Sequence, residues 1–187
     1  MIERIVLASA SPRRKQLLEW AEIPFEVIVS SAEEVFEKGI DPRQGAAKVA
    51  LQKALKVKEQ VLENRIVLAA DTIVVLNGQI IGKPKDRPAA IAALSQLQNT
   101  THQVITGVAI LKGSKQILFT DTTEVTFHPL SQEQISFYID HYKPYDKAGA
   151  YAIQEWIGVT GIKAIQGDFY NVMGLPVSRV VQVLNNL

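Results

Sequence analysis

The residues of this chain whose types and spacing best suit chemistry lie near its N terminus: Ser9, Ser11, Arg13 and Arg14 follow a short apolar run. Ser11 before Pro12 is typical of a helix N-cap and a first helical residue. The first turn of a helix carries the positive end of its dipole and normally prefers acidic side chains. Two arginines there, beside free N–H groups and hydroxyls, favour a bound polyanion such as phosphate. A solvated arginine pair on a surface helix is the alternative interpretation.

Two carboxylates extend this set of charged residues. Asp71 ends an unbroken apolar run that is typical of a strand buried on both faces. Ligands of open α/β sheets collect beyond the carboxyl ends of the strands, which favours Asp71 as a site residue. Glu34 follows a predicted strand over residues 24–29, and it either lies at the same sheet edge as Arg13 or belongs to a solvated loop.

Two lysines occupy positions that suit anion binding. Lys53 lies on or beside the apolar stripe of a helix predicted over residues 41–62, with its ammonium group either in water or directed at an anion. Lys83 leaves the second arm of a hairpin whose Asn77-Gly78 turn predicts type I′ geometry. Residues 78–83 are not a P-loop, because the glycine spacing is one residue short and Pro84 replaces Ser or Thr.

Residues 143–154 mix an acid, a base and an amide, namely Asp146, Lys147 and Gln154, without helix or strand periodicity. Such a segment is either a loop that takes part in chemistry or an ordinary loop, and both interpretations stay open. His102, at the start of a predicted strand, has no His or Cys neighbour in the sequence. A structural or base-contacting role is therefore favoured over metal binding.

These residues must be positioned by alternating strands and helices, with two hairpins inserted. Parallel units joined by helices, combined with antiparallel hairpins, predict an α/β fold: one mixed sheet with helices on both faces. At 187 residues, 47% of them hydrophobic, the chain is expected to form a single domain over residues 1–187, either compact or two-lobed around one cleft.

The composition argues against several classes of protein. A net charge of +1 provides no general field for nucleic acid or an anionic membrane, so the positive charge that matters must be local. The absence of cysteine excludes disulfides, thiolate zinc sites and cysteine nucleophiles, and it agrees with a cytoplasmic protein. No apolar run approaches the roughly 20 residues of a membrane span, so no membrane partner is expected.

Among the candidate site residues named above, cationic side chains outnumber carboxylates. Five Lys or Arg residues suit a triphosphate, while Glu34 and Asp71 suit one or two Mg²⁺ or Mn²⁺ ions, which bind through few carboxylates plus substrate oxygens. The predicted chemistry is attack of water on phosphorus, with metal and cations neutralising charge and a carboxylate orienting or deprotonating the water. The Gly-x-Ser-x-Gly, His-x-x-x-His and Gly-x-Gly-x-x-Gly motifs of competing enzymes are absent.

At these same positions the chain resembles the Maf family. The resemblance covers nearly the whole chain and is carried, in order, by SASPRR at 9–14, ADT at 70–72, GKP at 82–84, HQVITG at 102–107, DKAGAYAIQ at 146–154 and GDFYNVMGLP at 167–176. It implies a cytoplasmic, divalent-metal-dependent enzyme that splits nucleoside triphosphates into monophosphate and pyrophosphate. It also implies a long twisted mixed sheet with a central cleft, similar to inosine triphosphatase, and raises the expectation of a homodimer.

The resemblance places the proton acceptor on Asp71 and substrate discrimination on Arg14, Thr72 and Gln154. Together with the charge pattern, it leads us to expect metal binding at Glu34 and Asp71, and phosphate binding at Ser9, Ser11, Arg13, Lys53, Lys83 and Lys147. Two roles stay open for Asp71. A carboxylate that binds metal directly is a poor base, in which case Asp71 orients an acidified, metal-bound water.

Arg13-Arg14 favours the dTTP and UTP branch of the family, because the 7-methyl-GTP branch typically has Trp before a single Arg. Gln154 agrees with a pyrimidine, since an amide can donate to a carbonyl of uracil or thymine and accept from N3–H. Cytosine presents a different pattern, and a mispaired amide costs about 1–3 kcal/mol. Capping a loop is the other interpretation of Gln154.

The chain departs from the family pattern at three places: Glu155 where Gly is usual, Lys143 where an acid is frequent, and Gln98-Asn99 in place of Ser-Gly. None of these touches the phosphate chemistry, but all bear on substrate rank. Two alternatives stay open. One is the same chemistry on 7-methyl-GTP or other modified nucleotides. The other is a nucleotide- or nucleic-acid-binding regulator of septum formation without turnover, which the near-neutral charge disfavours.

Overall fold

The computed structural model describes residues 2–36 and 39–187. Its strands are β1 (Ile5–Leu7), β2 (Phe25–Val27), β3 (Val67–Leu76), β4 (Gln79–Ile81), β5 (Thr101–Lys112), β6 (Lys115–Phe127) and β7 (Ile162–Gln166). Its helices are α1 (Pro12–Trp20), α2 (Pro42–Lys58), α3 (Arg87–Leu97), α4 (Gln132–Tyr142), α5 (Trp156–Gly161), α6 (Phe169–Met173) and α7 (Val177–Asn185), and a 3₁₀ turn spans Ala148–Ala150. Over the described ranges, no helix has both the length and the apolar composition to cross a membrane.

The strands of the described residues form one mixed sheet. Their order is β2-β1-β3-β5-β6-β7, and β4 pairs with β3. β1 runs parallel to β2 and β3, whereas β4 is antiparallel to β3 and β7 is antiparallel to β6. The predicted α/β class with a mixed sheet is therefore confirmed.

Local sequence signals are found where they were predicted. Ser11 caps α1, and its Oγ accepts from the backbone N–H of Arg14 at 3.4 Å. Asp41 caps α2 through its carboxylate. Asn77 and Gly78 have φ values of 50° and 78° between β3 and β4, the positive angles that a type I′ turn requires. Each of these signals acts within four residues along the chain, which is why the sequence reveals it.

Some boundaries differ from those predicted. The helix expected to reach residue 62 ends at Lys58, whose ammonium group donates to the carbonyl oxygen of Arg65 at 3.3 Å and to that of Glu63 in the following turn. The strand expected at 161–166 begins at Ile162, because α5 precedes it. The short helices α5 and α6 were not predicted, since five or six residues are too few to show amphipathic periodicity.

The chain divides into two compact units. The first unit comprises Met1–Thr72, Thr106–Asp121 and Gly174–Leu187. In its core, small and branched residues of α2 pack against β1, β3 and β5, and this core includes Val6, Ala8, Ala50, Ala54, Val57, Val67, Ala69, Ala109 and Leu111. A Cβ atom at Gly107 would lie 2.3 Å from the backbone carbon of Ala46, so glycine on β5 allows α2 to approach closely.

The second unit comprises Ile73–Ile105 and Thr122–Met173. Its buried core includes Leu94, Leu97, Phe127, Ile135, Tyr138 and Ile139. Arg87 of α3 forms a bidentate pair with Asp140 of α4, with N–O distances of 2.6 and 2.9 Å. This exposed ion pair links α3 and α4 at the surface of the unit, and its contribution to stability is small.

Candidate active site

Arg14 lies in the first turn of α1 and is buried rather than solvated, with 8% of its surface exposed. Its Nε donates to the carbonyl oxygen of Gly174 at 2.8 Å, one Nη to Ser9 Oγ at 3.1 Å and the other to Thr72 Oγ1 at 3.0 Å. Burial lowers the pKa of Arg14, and the negative charge of Asp71 opposes that shift. The guanidinium group therefore acts as a fixed connector between three segments of the first unit.

Thr72 and Gly174 complete the surroundings of this arginine. Thr72 Oγ1 lies 2.9 Å from Thr106 Oγ1 and 3.3 Å from the Gly174 carbonyl oxygen. Gly174 has a φ of 120°, a backbone conformation that residues other than glycine rarely adopt. The GDFYNVMGLP segment therefore contributes a backbone carbonyl that orients both predicted specificity residues of the first unit.

Lys53 joins the two predicted metal-binding carboxylates. Its Nζ lies 2.6 Å from Asp71 Oδ1 and 2.7 Å from Glu34 Oε1. The side chains of Lys53 and Asp71 are 11% and 8% exposed, whereas that of Glu34 is 44% exposed. Glu34 lies in the exposed loop after β2, and its carboxylate nevertheless contacts the Lys53 ammonium group.

The fold explains why Lys53 points inward. Val49, Ala50, Ala54 and Val57 are buried on the same helix, so Lys53 lies within the stripe of α2 that faces the sheet. Asp71 lies in the middle of β3 rather than at its end as predicted, because the apolar residues after Thr72 continue the strand to Leu76 and pair with β4. An ammonium group buried there requires carboxylate partners, because an unpaired buried charge lowers the stability of the fold by roughly several kcal/mol. Of the two roles left open for Lys53, the structure shows it directed at anionic groups.

The remaining predicted residues of the first unit lie near these two clusters. Ser11 caps α1 and donates its backbone N–H to Ser9 Oγ at 3.2 Å. Arg13 is partly exposed, and its charge adds to the effects that lower the pKa of Arg14. Ser9 thus accepts from both the Ser11 backbone and the Arg14 side chain, which fixes the turn before α1.

Lys83, Lys147 and Gln154 belong to the second unit, where Lys83 and Gln154 are exposed. Lys147 is buried, and its Nζ donates to Asp146 Oδ1 at 2.8 Å and lies 3.6 Å from Glu155 Oε1. The backbone N–H of Gly149 donates to the carbonyl oxygen of Gly82 at 3.2 Å. This bond brings the segment that bears Lys83 beside the turn that follows Lys147.

Sequence reasoning did not find the contacts of Tyr138 and Glu155, which adjoin this segment. The phenol of Tyr138 donates to Glu155 Oε2 and accepts the backbone N–H of Ala152 at 3.1 Å. Only one signal pointed here, namely Glu155 at a position where the family usually has Gly. His102 is fully buried, which supports a structural role, and its Nε2 lies 2.7 Å from Tyr151 Oη.

The donor set of the first unit fits a hard divalent cation. Glu34 and Asp71 both direct a carboxylate oxygen at the Lys53 ammonium group, so their negative charges face a common point. Mg²⁺ and Mn²⁺ commonly bind through one or two carboxylates, completing their coordination with water and substrate phosphates. Across residues 2–36 and 39–187, no cluster of three or more His, Asp or Glu side chains is suited to hold a metal, so the protein alone offers only this partial set.

Comparison with known proteins decides the family. Residues 4–187 match the family model described as Maf-like protein. The chain belongs to the Maf family. It is 48% identical over 183 residues to the dTTP/UTP pyrophosphatase of Cytophaga hutchinsonii, covering 98% of this chain and 84% of that protein. The proteins named dTTP/UTP pyrophosphatase from Parabacteroides distasonis and Bacillus cytotoxicus are 45% and 47% identical to it. Each match covers 98% of this chain and 95% of the relative.

A solved structure also shares the fold of this Maf protein. The HAM1 protein from Coxiella burnetii superimposes with a TM-score of 0.50, covering 100% of both chains at 16% identity. At that identity the likeness concerns the fold alone. The predicted family and the α/β class are both confirmed by these comparisons.

Proposed function

We propose that this Maf protein is a nucleoside triphosphate pyrophosphatase that hydrolyses dTTP and UTP to the monophosphate and pyrophosphate. The observation that carries the proposal is the Glu34–Lys53–Asp71 cluster, in which Lys53 and Asp71 are buried and Asp71 lies in the middle of β3. The next residue of the strand, Thr72, contacts Arg14. The relatives named dTTP/UTP pyrophosphatase, at 45–48% identity over nearly the whole chain, support the same activity.

A metal ion, Mg²⁺ or Mn²⁺, would be held by Glu34 and Asp71, and when bound it supplies neutralisation of phosphate charge and a more acidic water. The chain's own residues supply the rest. Lys53 engages Asp71 Oδ1, which leaves Oδ2 to orient a water or to accept its proton. The water oxygen forms the new bond to phosphorus, the α–β phosphoanhydride bond breaks, and pyrophosphate leaves with the bonding electron pair.

We assign phosphate binding to polar groups of each unit separately. In the first unit these are Ser9, Ser11, Arg13 and Lys53, and in the second they are Lys83 and Lys147. Arginine and lysine side chains make charge-assisted hydrogen bonds with phosphate oxygens, roughly twice as strong as neutral ones. The hydrogen bond between Gly149 and Gly82, which brings the segments of Lys83 and Lys147 together, supports a shared task for these two lysines.

We assign base selection to Arg14, Thr72 and Gln154. Because Arg14 directs three N–H groups at Gly174, Ser9 and Thr72, it acts by holding Thr72 rather than by reaching freely for a ligand. Gln154 is exposed, so its amide is accessible to the carbonyl and N3–H groups of a uracil or thymine ring.

A substrate panel tests this function directly. Purified protein is incubated with dTTP, UTP, CTP, GTP and 7-methyl-GTP, with Mg²⁺ or Mn²⁺ and with EDTA, and monophosphate and pyrophosphate are quantified. We expect metal-dependent turnover that is fastest with dTTP and UTP. Fastest turnover of 7-methyl-GTP would overturn the base assignment, and tight, metal-independent nucleotide binding without product would favour the regulator.

Asp71→Asn provides the matched test of mechanism. It keeps the size of the side chain but removes the charge that faces Lys53, so we expect a loss of turnover of at least about a hundredfold. Asp140→Asn, at an exposed position on α4, serves as the control and should retain activity. An unchanged turnover number in Asp71→Asn would exclude a catalytic role for this residue.

A further inference from the structure

Glu155 has a set of contacts that the phosphate chemistry does not explain. It directly follows Gln154, and its side chain is 21% exposed. One carboxylate oxygen accepts the hydroxyl of Tyr138, and the other lies 3.6 Å from Lys147 Nζ. A single side chain therefore touches an aromatic anchor and a predicted phosphate-binding lysine, next to the predicted base-reading amide.

Tyr138 anchors this arrangement from α4. Its side chain is completely buried, and its hydroxyl accepts the backbone N–H of Ala152 as well as donating to Glu155. The capping box of Ser131 and Gln134 fixes the start of α4. One phenol thus holds the loop at two points, the backbone at Ala152 and the carboxylate at Glu155, and Gln154 lies between them.

Lys147 is held by two carboxylates of unequal exposure. Its Nζ lies 2.8 Å from Asp146 Oδ1, but the Asp146 side chain is 60% exposed, so solvent screens that pair. Glu155 is less exposed and is itself fixed by Tyr138. Glu155 is therefore the more constrained partner of the buried Lys147, although Asp146 Oδ1 is the closer one.

Glu155 also occupies the N-cap position of α5, but its side chain makes no capping hydrogen bond there. The backbone carbonyl of Glu155, not its carboxylate, accepts from Gly158 and Val159 in the first turn of α5. The carboxylate is therefore directed at Tyr138 and Lys147 rather than at the helix. A capping role, which is the simplest structural explanation of an acid at this position, does not account for its contacts.

We propose that Glu155 is a positioning residue for substrate selection: tethered to α4 by Tyr138, it holds Gln154 in place to read the base and orients Lys147 toward phosphate. This inference rests on the proposed function. Glu155 itself need not touch the nucleotide, because it acts through its two neighbours.

Three variants separate the tether from the charge. Tyr138→Phe removes the hydroxyl and keeps the ring, and Glu155→Ala removes the carboxylate. Both should lower the ratio of kcat/KM for dTTP to that for CTP by about fivefold, because Gln154 loses its fixed orientation. Glu155→Gln keeps an acceptor for Tyr138 and should retain that ratio within about twofold, with the loss of charge beside Lys147 expressed in KM.

The double variant Tyr138→Phe/Glu155→Ala tests whether the two residues act together. If they form one tether, the double variant should lose less selectivity than the product of the two single fold-losses, because the Tyr138–Glu155 contact is already absent in each single variant. Glu124→Ala, an exposed acid on β6 in the same unit, is the control and should leave the ratio unchanged. Circular dichroism melting verifies that each variant is folded, and Tyr138→Phe carries the test if Glu155→Ala does not fold.

The outcomes distinguish this inference from the proposed function. A wild-type protein without dTTP or UTP turnover overturns the function itself. A wild-type enzyme that is active, with variants that lose dTTP and CTP activity by one common factor, shows that Glu155 only stabilises the loop and overturns the inference. Additive losses of selectivity in the double variant would also overturn it, because two independent contacts would then be acting.

Discussion

Acidification should destabilise this protein through His102, one of its three histidines. The imidazole is 1% exposed, its ring stacks on Phe127 with a centroid distance of 5.6 Å, and its edge contacts Tyr151. Among the residues that the structure describes, Nδ1 of His102 makes no hydrogen bond. A protonated imidazole would therefore carry a buried charge with one N–H group unsatisfied, and burial lowers the pKa of His102 to about 4.

The direction of the stability change follows from the protonation of the folded and unfolded states. The ordinary pKa of 6.5 applies to the unfolded chain, so on acidification the unfolded state takes up a proton before the folded state does. The stability contributed by the neutral imidazole is complete above the unfolded pKa and is lost as the pH falls from 6.5 toward about 4. At about 1.4 kcal/mol per pH unit the full loss is about 3 kcal/mol, of which about 2 kcal/mol is reached by about pH 5.

Urea unfolding at about pH 8 and about pH 5 measures this loss. The wild type should lose about 2 kcal/mol more than His102→Gln, in which the titrating group is absent while every carboxylate remains. His128→Gln, at an exposed position, is the control and should follow the wild type. Titration of the imidazole signals by NMR gives the pKa directly.

Two results would refute this reasoning. Equal pH dependence in the wild type and His102→Gln would show that the buried imidazole does not couple to folding. An NMR titration of His102 near its ordinary value would show that the folded state accommodates the charge, through solvent entry or a rearranged Tyr151.

Three further predictions concern the first unit. Gly107→Ala should cost at least about 3 kcal/mol of unfolding free energy in urea, because its Cβ would clash with the Ala46 backbone, whereas Gly82→Ala, with nothing within 4 Å, should not. Arg14→Lys should lower kcat/KM for dTTP roughly 10- to 100-fold, since one ammonium group cannot replace three directed N–H donors; a change under twofold would contradict this. Lys53→Met should tighten Mn²⁺ binding to the nucleotide-free protein roughly tenfold, measured by electron paramagnetic resonance, because the competing ammonium group is gone; equal affinities would contradict it.

The sequence alone predicted the elements whose signals are local. Ser11 and Pro12 predicted the start of α1, and Asn77-Gly78 predicted the turn between β3 and β4. The apolar run before Asp71 predicted a buried strand, and β3 is buried. The expectation that this strand ends at Asp71 was wrong, because β3 continues to Leu76. The other predictions succeeded because a cap or a tight turn involves at most four neighbouring residues, and burial of a strand on both faces requires continuous apolar side chains.

The candidate site could be predicted only as a set of residue types. Lys53 lies on an apolar stripe, and periodicity does not show whether such a lysine extends to water or toward a carboxylate. The answer depends on Asp71 and Glu34, which are 18 and 19 residues away in sequence. The short helix α5 and the tether between Tyr138 and Glu155 left no periodic signal.

What the sequence determined by itself, then, is the family, the α/β class and the inventory of charged groups near predicted strand ends. What the tertiary structure alone decided is which of those groups meet. Arg14 donates to the carbonyl oxygen of Gly174, 160 residues along the chain, and His102 contacts Tyr151 in a buried position. Such contacts arise from packing of whole elements, and the energy of a buried charge or hydrogen bond depends on partners that no local pattern of residues specifies.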